Sequence, residues 1–276
     1  MNHKTARKLR VFAATQNTER HAKRKVKMLS PIATGVYAGL GVAACAGVAA
    51  GVYAYASMWP SSRLFGSALI APARPDEIAL TFDDGPNATW TPKLLDILAN
   101  YEVRATFFLL GGQANADPEL VRRIAAAGHV IGNHTWSHPN LARSSSEVIK
   151  EELKRTQQTL QQITRMPVKF FRPPYGGRRP EVFRIAREMG LEPVLWNAMV
   201  PDWSDPSPDR IATRLMNRID RLQQSGSAAN IVLHDGGHND PSANRQPSVL
   251  AAEKLIVEYK KMRRFVTLDE WVPVGQ

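Results

Sequence analysis

The chain has a single cysteine, Cys45, in 276 residues. One thiol cannot form an intrachain disulfide, and it excludes the Cys-rich zinc sites of small metal-stapled domains. Any metal here has to be held by histidine and carboxylate. The globular part also lacks a basic excess. The formal net charge is +11, but nine of the 36 Lys and Arg and only Glu19 of the 25 acidic residues fall within residues 1–56. The remaining 27 bases face 24 acids, a balance unsuited to bulk polyanion binding, so no nucleic-acid partner is expected. No internal repeat or low-complexity tract interrupts the remainder, and the length suits one large domain with an appendage. Nothing in the sequence identifies a protein partner.

Charge is absent altogether from Pro31 to Ala56, a run long enough to cross a bilayer as a helix of about 20 residues. The basic arm at 1–30 reads as its cytoplasmic flank, which directs the following domain outward. Ala54-Tyr55-Ala56 before Ser57 resembles a small-residue signal-peptidase site. The span is therefore a transmembrane anchor or a cleaved signal. The long basic arm favours the anchor, and secretion after cleavage near Ala56 is the alternative. Residues 57–76, with Pro60, Pro72 and Pro75, read as a linker.

From residue 77 to 276, short apolar runs alternate with amphipathic helical patterns. Strands are expected at 78–82, 105–110, 130–133, 168–171, 193–196, 230–233 and 265–268, with helices near 91–101, 118–127, 145–164, 180–189, 208–225 and 247–262. Such alternation argues for an α/β fold with parallel strands and helices outside, as an open sheet or a barrel. In a barrel, chemistry gathers at the C-terminal ends of the strands. The reactive residues follow that rule. Asp83-Asp84, then His134 to His138, Arg172 to Gly176, Asp202-Trp203 and His234-Asp235 each follow a successive strand.

Asp83-Asp84 end the run Ile78-Ala79-Leu80-Thr81-Phe82, and Gly85-Pro86 breaks the backbone, so the strand is expected to stop at the acids. A backbone that turns there lets both carboxylates line one pocket, one holding a metal and the other handling a proton. His134 and His138 stand four apart, which on a helical turn puts two imidazoles on one face. Two imidazoles and a carboxylate suit zinc or another divalent first-row ion and leave positions open for water and substrate.

Taken together, TFDDGP at 81–86, HTWSH at 134–138, RPPYG at 172–176, DW at 202–203 and LHD at 233–235 resemble, in order, the five motif regions of the polysaccharide deacetylases, carbohydrate esterase family 4, which share the nodulation-type (NodB) deacetylase domain. The resemblance spans roughly Glu77 to Trp271. It implies a distorted (β/α) barrel with parallel strands, here preceded by the N-terminal transmembrane helix, and metal-dependent removal of N-acetyl groups from amino sugars. Asp84, His134 and His138 would hold the divalent metal, Zn2+ or else Co2+, Ni2+ or Mn2+. Metal-bound water would attack the acetyl carbonyl with Asp83 as base and His234 as acid. The backbone N–H of Tyr175 would help stabilise the oxyanion, on a loop stiffened by Pro173 and Pro174. Arg172 would orient Asp83, and Asp202 would sit behind His234 and raise its pKa. Pro173, Trp203 and Leu233 would belong to the substrate pocket.

There are departures from the family pattern. Many members carry a further acid shortly before the Asp-Trp pair, where this chain has Met199, so the support of Asp202 is expected to differ. His238 stands close behind the last motif within reach of substrate, although a loop histidine without a role is the simpler expectation, and Asp235 is expected to order its loop. An outward-facing domain meets cell-wall glycan first, which makes peptidoglycan the leading substrate. Chitooligosaccharide and O-acetyl-xylan are alternatives, and a non-catalytic glycan-binding module is the reading from a different class.

Overall fold

The computed structural model describes residues 31–272. The expected basic arm lies outside the described residues. Helix α1 is Pro31–Met58, of which Leu40–Met58 is long and apolar enough to cross a membrane by length and composition. The described residues up to Val52 and those from Tyr53 onward belong to separate compact units.

Residues 57–76 differ from the linker expectation. Ser57 and Ser62 are buried, and so is Arg178, whose guanidinium donates to the carbonyls of Trp59 (2.5 Å) and Ser62 (3.1 Å) while its backbone N–H donates to that of Ser57 (2.9 Å). Farther along, Leu69 exchanges backbone hydrogen bonds with Pro193 and Leu195. A proline-interrupted segment leaves carbonyls without regular partners, and a buried arginine has five donors to give them. The prolines report irregular backbone, not detachment.

One sheet of eight strands organises the domain, in the order β5-β4-β3-β2-β1-β7-β6, with all pairings parallel. These are β1 (Glu77–Gly85), β2 (Thr106–Leu109), β3 (Val130–Asn133), β4 (Phe170–Phe171), β5 (Glu192–Pro193), β6 (Ala198–Met199) and β7 (Ala229–His234). The last strand, β8 (Arg264–Val266), pairs with the first residues of β1, and β2 takes over the same edge from Thr81 onward. Between edge strands β5 and β6 no ladder occurs among the described residues, and residues 194–197 run from one edge to the other. The sheet is thus a curled, incomplete barrel with one open seam.

Alternation along β1 builds the two layers. Ile78, Leu80 and Phe82 pack outward into the main core, against α2 (Trp90–Asn100) and its neighbours, whereas Ala79 joins a smaller inner cluster with Phe108, Phe170 and Val194. Helices α3 (Gly111–Ala116), α4 (Pro118–Ala126), α5 (Ser146–Thr164), α6 (Pro180–Glu188), α7 (Pro208–Gln224) and α8 (Gln246–Tyr259) complete the outer shell. Caps set several starts. Asp117, Ser145 and Ser207 accept the N–H groups of Leu120, Val148 and Arg210. Strand β6, of two residues, and helix α3, of six and opening on Gly111-Gly112, fall outside the strands and helices expected from the sequence.

Candidate active site

The loops after β1, β3, β4, β6 and β7 meet around a cleft of about 450 Å³ lined by Asp83, Asp84, His134, His138, Tyr175 and His234 among others. Strand β1 does not stop at the acids as expected. It continues through both to Gly85, with a register shift between Asp83 and Gly85 and Asp84 at φ 68°. Regular alternation would aim the two carboxylates at opposite faces. The left-handed residue cancels that alternation, so both reach the cleft. Gly236 follows from the same crowding, since a Cβ there would lie 1.9 Å from the Asp84 carbonyl oxygen.

His134 and His138 are also arranged differently from the helical turn expected. The segment between them is loop, with Thr135 at φ 71° and His138 at φ 62°. Its shape is held from outside the motif. Glu152 on α5 accepts the N–H groups of Trp136 (2.8 Å) and Ser137 (2.9 Å) and the Ser137 hydroxyl, Asn133 accepts the Thr135 N–H, and the Thr135 hydroxyl accepts the His138 N–H. Sequence reasoning missed Glu152, an acid nearly two turns into an amphipathic helix that nothing local distinguishes from a solvated one.

Two imidazole nitrogens approach one carboxylate oxygen. The Oδ1 of Asp84 lies 3.2 Å from His138 Nε2 and 3.5 Å from His134 Nε2, is buried, and has no hydrogen-bond partner among the described residues. The Nδ1–H of His134 is given to the Arg172 carbonyl (2.8 Å), so its Nε2 presents a lone pair to the same oxygen. Burial, reinforced by the neighbouring His134, lowers the His138 pKa to about 3, so its ring is neutral at physiological pH. Burial opposes the charge on Asp84, yet the His134 and His238 rings beside it and the charge of His234 hold its carboxyl well below the usual carboxylate range. A buried anionic oxygen without a hydrogen-bond partner among the described residues, beside two imidazole nitrogens, fits a divalent cation.

Arg172 is wholly buried inside the barrel, with Nη1 on Asp83 Oδ1 (2.7 Å) and on the Thr81 hydroxyl (2.7 Å) and its plane over Phe108. Across the cleft floor, β7 carries His234 beside Asp83 in register. The Oδ1 of Asp202 meets His234 Nδ1 at 2.9 Å, while its Oδ2 accepts the His234 backbone N–H (2.9 Å) and the Ser248 hydroxyl (2.6 Å). Burial disfavours the charged ring, but Asp202, with Asp84 and Asp83 beyond it, raises the His234 pKa to about 9. Ser248 on α8 is the support that Met199 cannot give, and Met199 itself lines the cleft. A serine within a helical pattern gave no signal of that role.

The remaining expected residues divide. Pro173 and Tyr175 line the cleft, and Trp203 stands edge-on to the His234 ring with centroids 5.1 Å apart. Leu233 is a correction. It is fully buried in the outer core and absent from the cleft wall, where Val232 stands instead, because His234 faces inward and its neighbour must therefore face outward. Asp235 is buried, accepts the Thr91 hydroxyl at 2.5 Å, and is raised to about 7 chiefly by burial. His238, given no role above, has its ring at the cation site, within 4.8 Å of the Asp84 and His138 ligand atoms.

The curled parallel α/β barrel, with Asp83, Asp84, His134, His138 and His234 gathered around one cleft at the strand ends, is of the polysaccharide-deacetylase type. Residues 71–194 match the family model "Polysaccharide deacetylase". A peptidoglycan-N-acetylglucosamine deacetylase of Bacillus cereus is 38% identical over 205 residues, 74% of this chain and 71% of that protein, and a chitooligosaccharide deacetylase of Rhizobium leguminosarum bv. trifolii is 40% identical over 168 residues, 60% and 75% of the two. Among solved structures, a peptidoglycan N-acetylglucosamine deacetylase in complex with 4-naphthalen-1-yl-N-oxidanyl-benzamide superposes with a TM-score of 0.65 at 39% identity, covering 74% of this chain and 91% of that one. The chain belongs to the polysaccharide deacetylase family, carbohydrate esterase family 4, and is a deacetylase.

Proposed function

We propose that this deacetylase removes N-acetyl groups from N-acetylglucosamine residues of peptidoglycan on the outer side of a membrane to which α1 anchors it. The observation that carries the reaction is the pairing, at the ends of neighbouring strands, of a carboxylate bound by a buried arginine (Asp83) with an imidazole held protonated by a buried aspartate (His234).

In this reading Asp84, His134 and His138 hold the ion, with zinc as the favoured metal for a neutral-imidazole and carboxylate set. When bound, a divalent ion supplies an acidified water and polarises the acetyl carbonyl. Asp83 takes a proton as the water oxygen bonds to the carbonyl carbon. Arg172 aims Asp83 through its 2.7 Å contact with Oδ1. The Tyr175 backbone N–H donates to the developing oxyanion. His234 gives its proton to the amide nitrogen as the C–N bond breaks, so the products are acetate and a free amine on the sugar. Trp203 and Pro173 wall the acetyl group.

Location supports the glycan and the anchor. A domain outside the membrane meets cell wall, and the B. cereus relative is named for that substrate. Cleavage between Ala56 and Ser57 would cut a buried segment, since both residues are nearly inaccessible and the Ser57 carbonyl accepts from Arg178. An intact N-terminus in the membrane fraction is the expected outcome, and a soluble product starting at Ser57 would refute it.

The test of function is acetate release by the full chain in detergent, on purified peptidoglycan and on N-acetylglucosamine oligomers, beside Asp83→Asn and His234→Ala. Release that is abolished by chelation, restored by Zn2+ and lost in both variants is expected, with peptidoglycan preferred. Preference for the free oligomers would move the substrate to chitooligosaccharide. Metal binding without acetate release from any acetylated glycan would overturn the mechanism.

A further inference from the structure

The segment after β7 brings a third imidazole to the cation site. Its first residues cannot drift. Gly236 lies against the Asp84 backbone, its carbonyl accepts Arg245 Nε (2.5 Å), and the next carbonyl, that of Gly237, accepts the Gln113 amide (3.1 Å). Farther along, the Asn87 amide holds the Pro241 carbonyl (2.7 Å). Between these ties the His238 ring lies parallel to His138, with centroids 4.0 Å apart and planes inclined by 18°. The stacking turns both rings toward one carboxylate. His138 Nε2 is 3.2 Å from Asp84 Oδ1, and His238 Nδ1 is 3.1 Å from Asp84 Oδ2.

The cluster offers more than proximity. Asp84 Oδ1 is buried and unpartnered among the described residues, and the Asp84 side chain is only 5% exposed. The far nitrogen of His238, Nε2, has Tyr175 Oη at 3.2 Å and the Asn239 amide at 3.0 Å. The Asn239 amide nitrogen faces Nε2 and Nδ1 meets Asp84 Oδ2, so a cation bound here would take the place of the Nδ1 proton, with Tyr175 Oη within reach to accept from Nε2. His238 therefore has an inward ligand atom, Nδ1, in a cluster whose Asp84, His138 and His238 ligand atoms lie within 4.8 Å of one another.

We propose that His238 is a fourth protein ligand of the metal in the substrate-free enzyme, binding through Nδ1 beside Asp84, His134 and His138. The inference rests on the cation site of the proposed function and extends it. A hydrolytic metal site keeps a coordination position for water and substrate, whereas four protein ligands fill a tetrahedral site. His238 is the ligand placed to give way. Its side chain is 25% exposed, against 2% and 5% for His134 and His138, and it is coupled to Tyr175, itself on the cleft wall. A glycan entering past Tyr175 meets His238 before it reaches the ion.

Co2+ binding to the full chain in detergent tests this without relying on turnover. Affinity is measured by chelator competition and coordination by the visible d–d absorption, for wild type, His238→Ala and His238→Gln, with circular dichroism as the folding control. Wild type is expected to bind one Co2+ with the intense absorption of a four-coordinate site. Both variants should bind it at least about tenfold more weakly, with reduced absorption as water replaces imidazole, and free imidazole should restore the wild-type spectrum in His238→Ala. An unchanged spectrum in both variants refutes ligation by His238, whether or not affinity falls, since weaker binding alone means that it acts through the Asp84 carboxylate. No Co2+ binding by wild type would overturn the cation site itself, a failure distinct from loss of the His238 effect alone.

Discussion

Replacing Asp202 with Asn should abolish the property that makes His234 a proton donor. In the folded protein burial works against the imidazolium, and Asp202, hydrogen-bonded to Nδ1 at 2.9 Å, is the main group that overcomes it, raising the pKa from 6.5 to about 9. That rise is equivalent to about 3 kcal/mol in favour of the protonated ring. Because the folded pKa lies above the unfolded value, this contribution to stability is fully present below pH 6.5 and is lost as pH rises through about 9. Asparagine can still accept from Ser248 or from the His234 N–H, so the geometry has a neutral replacement while the charge is gone. NMR titration of the metal-free protein should find His234 near 9 in wild type and at or below 6.5 in Asp202→Asn. A melting-temperature deficit of the variant should be large at pH 6 and small at pH 10. In the metal-loaded enzyme the ion lowers both values, but the alkaline limb of kcat/KM should still move to lower pH in the variant. If that limb and the NMR titration stay where they are in wild type, Asp202 does not set the protonation of His234 and the assignment of the acid fails.

Three further outcomes follow from the same geometry. Arg172→Met strands the buried Asp83 carboxylate and should cost about 3–5 kcal/mol in urea denaturation, with loss of acetate release. Glu152→Ala removes three hydrogen bonds from the loop carrying His134 and His138, and should weaken metal binding by about 10–100-fold in chelator competition while the helical circular dichroism is retained. Gly236→Ala forces a methyl group against the Asp84 carbonyl oxygen, a backbone atom that cannot step aside, and should lower the melting temperature and metal affinity together. Full metal binding by either loop variant would show that these supports are dispensable.

The order of strands and helices and most of the chemistry were legible in the chain itself. Short apolar runs alternating with amphipathic helical patterns, and reactive residues recurring after successive strands, are local signals, because secondary structure and strand-end placement depend on near neighbours along the chain. That is why Asp83, Asp84, His134, His138, Arg172 and His234 could be named without coordinates, and why Leu233 could not be separated from Val232 until the inward face of β7 was known. What tertiary structure alone decided is everything reached across distant sequence. Glu152 and Ser248 became supports because α5 and α8 pack against particular loops. Residues 57–76 became part of the domain because Arg178 is buried beneath them. Asp84 turned into the cleft through a left-handed bulge that its neighbours in space impose, and His238 reached the cation site because Gly236 lets its loop lie against β1. Each depends on contacts between residues far apart in the chain, and a single sequence carries no record of which distant groups will be brought within 3 Å of one another.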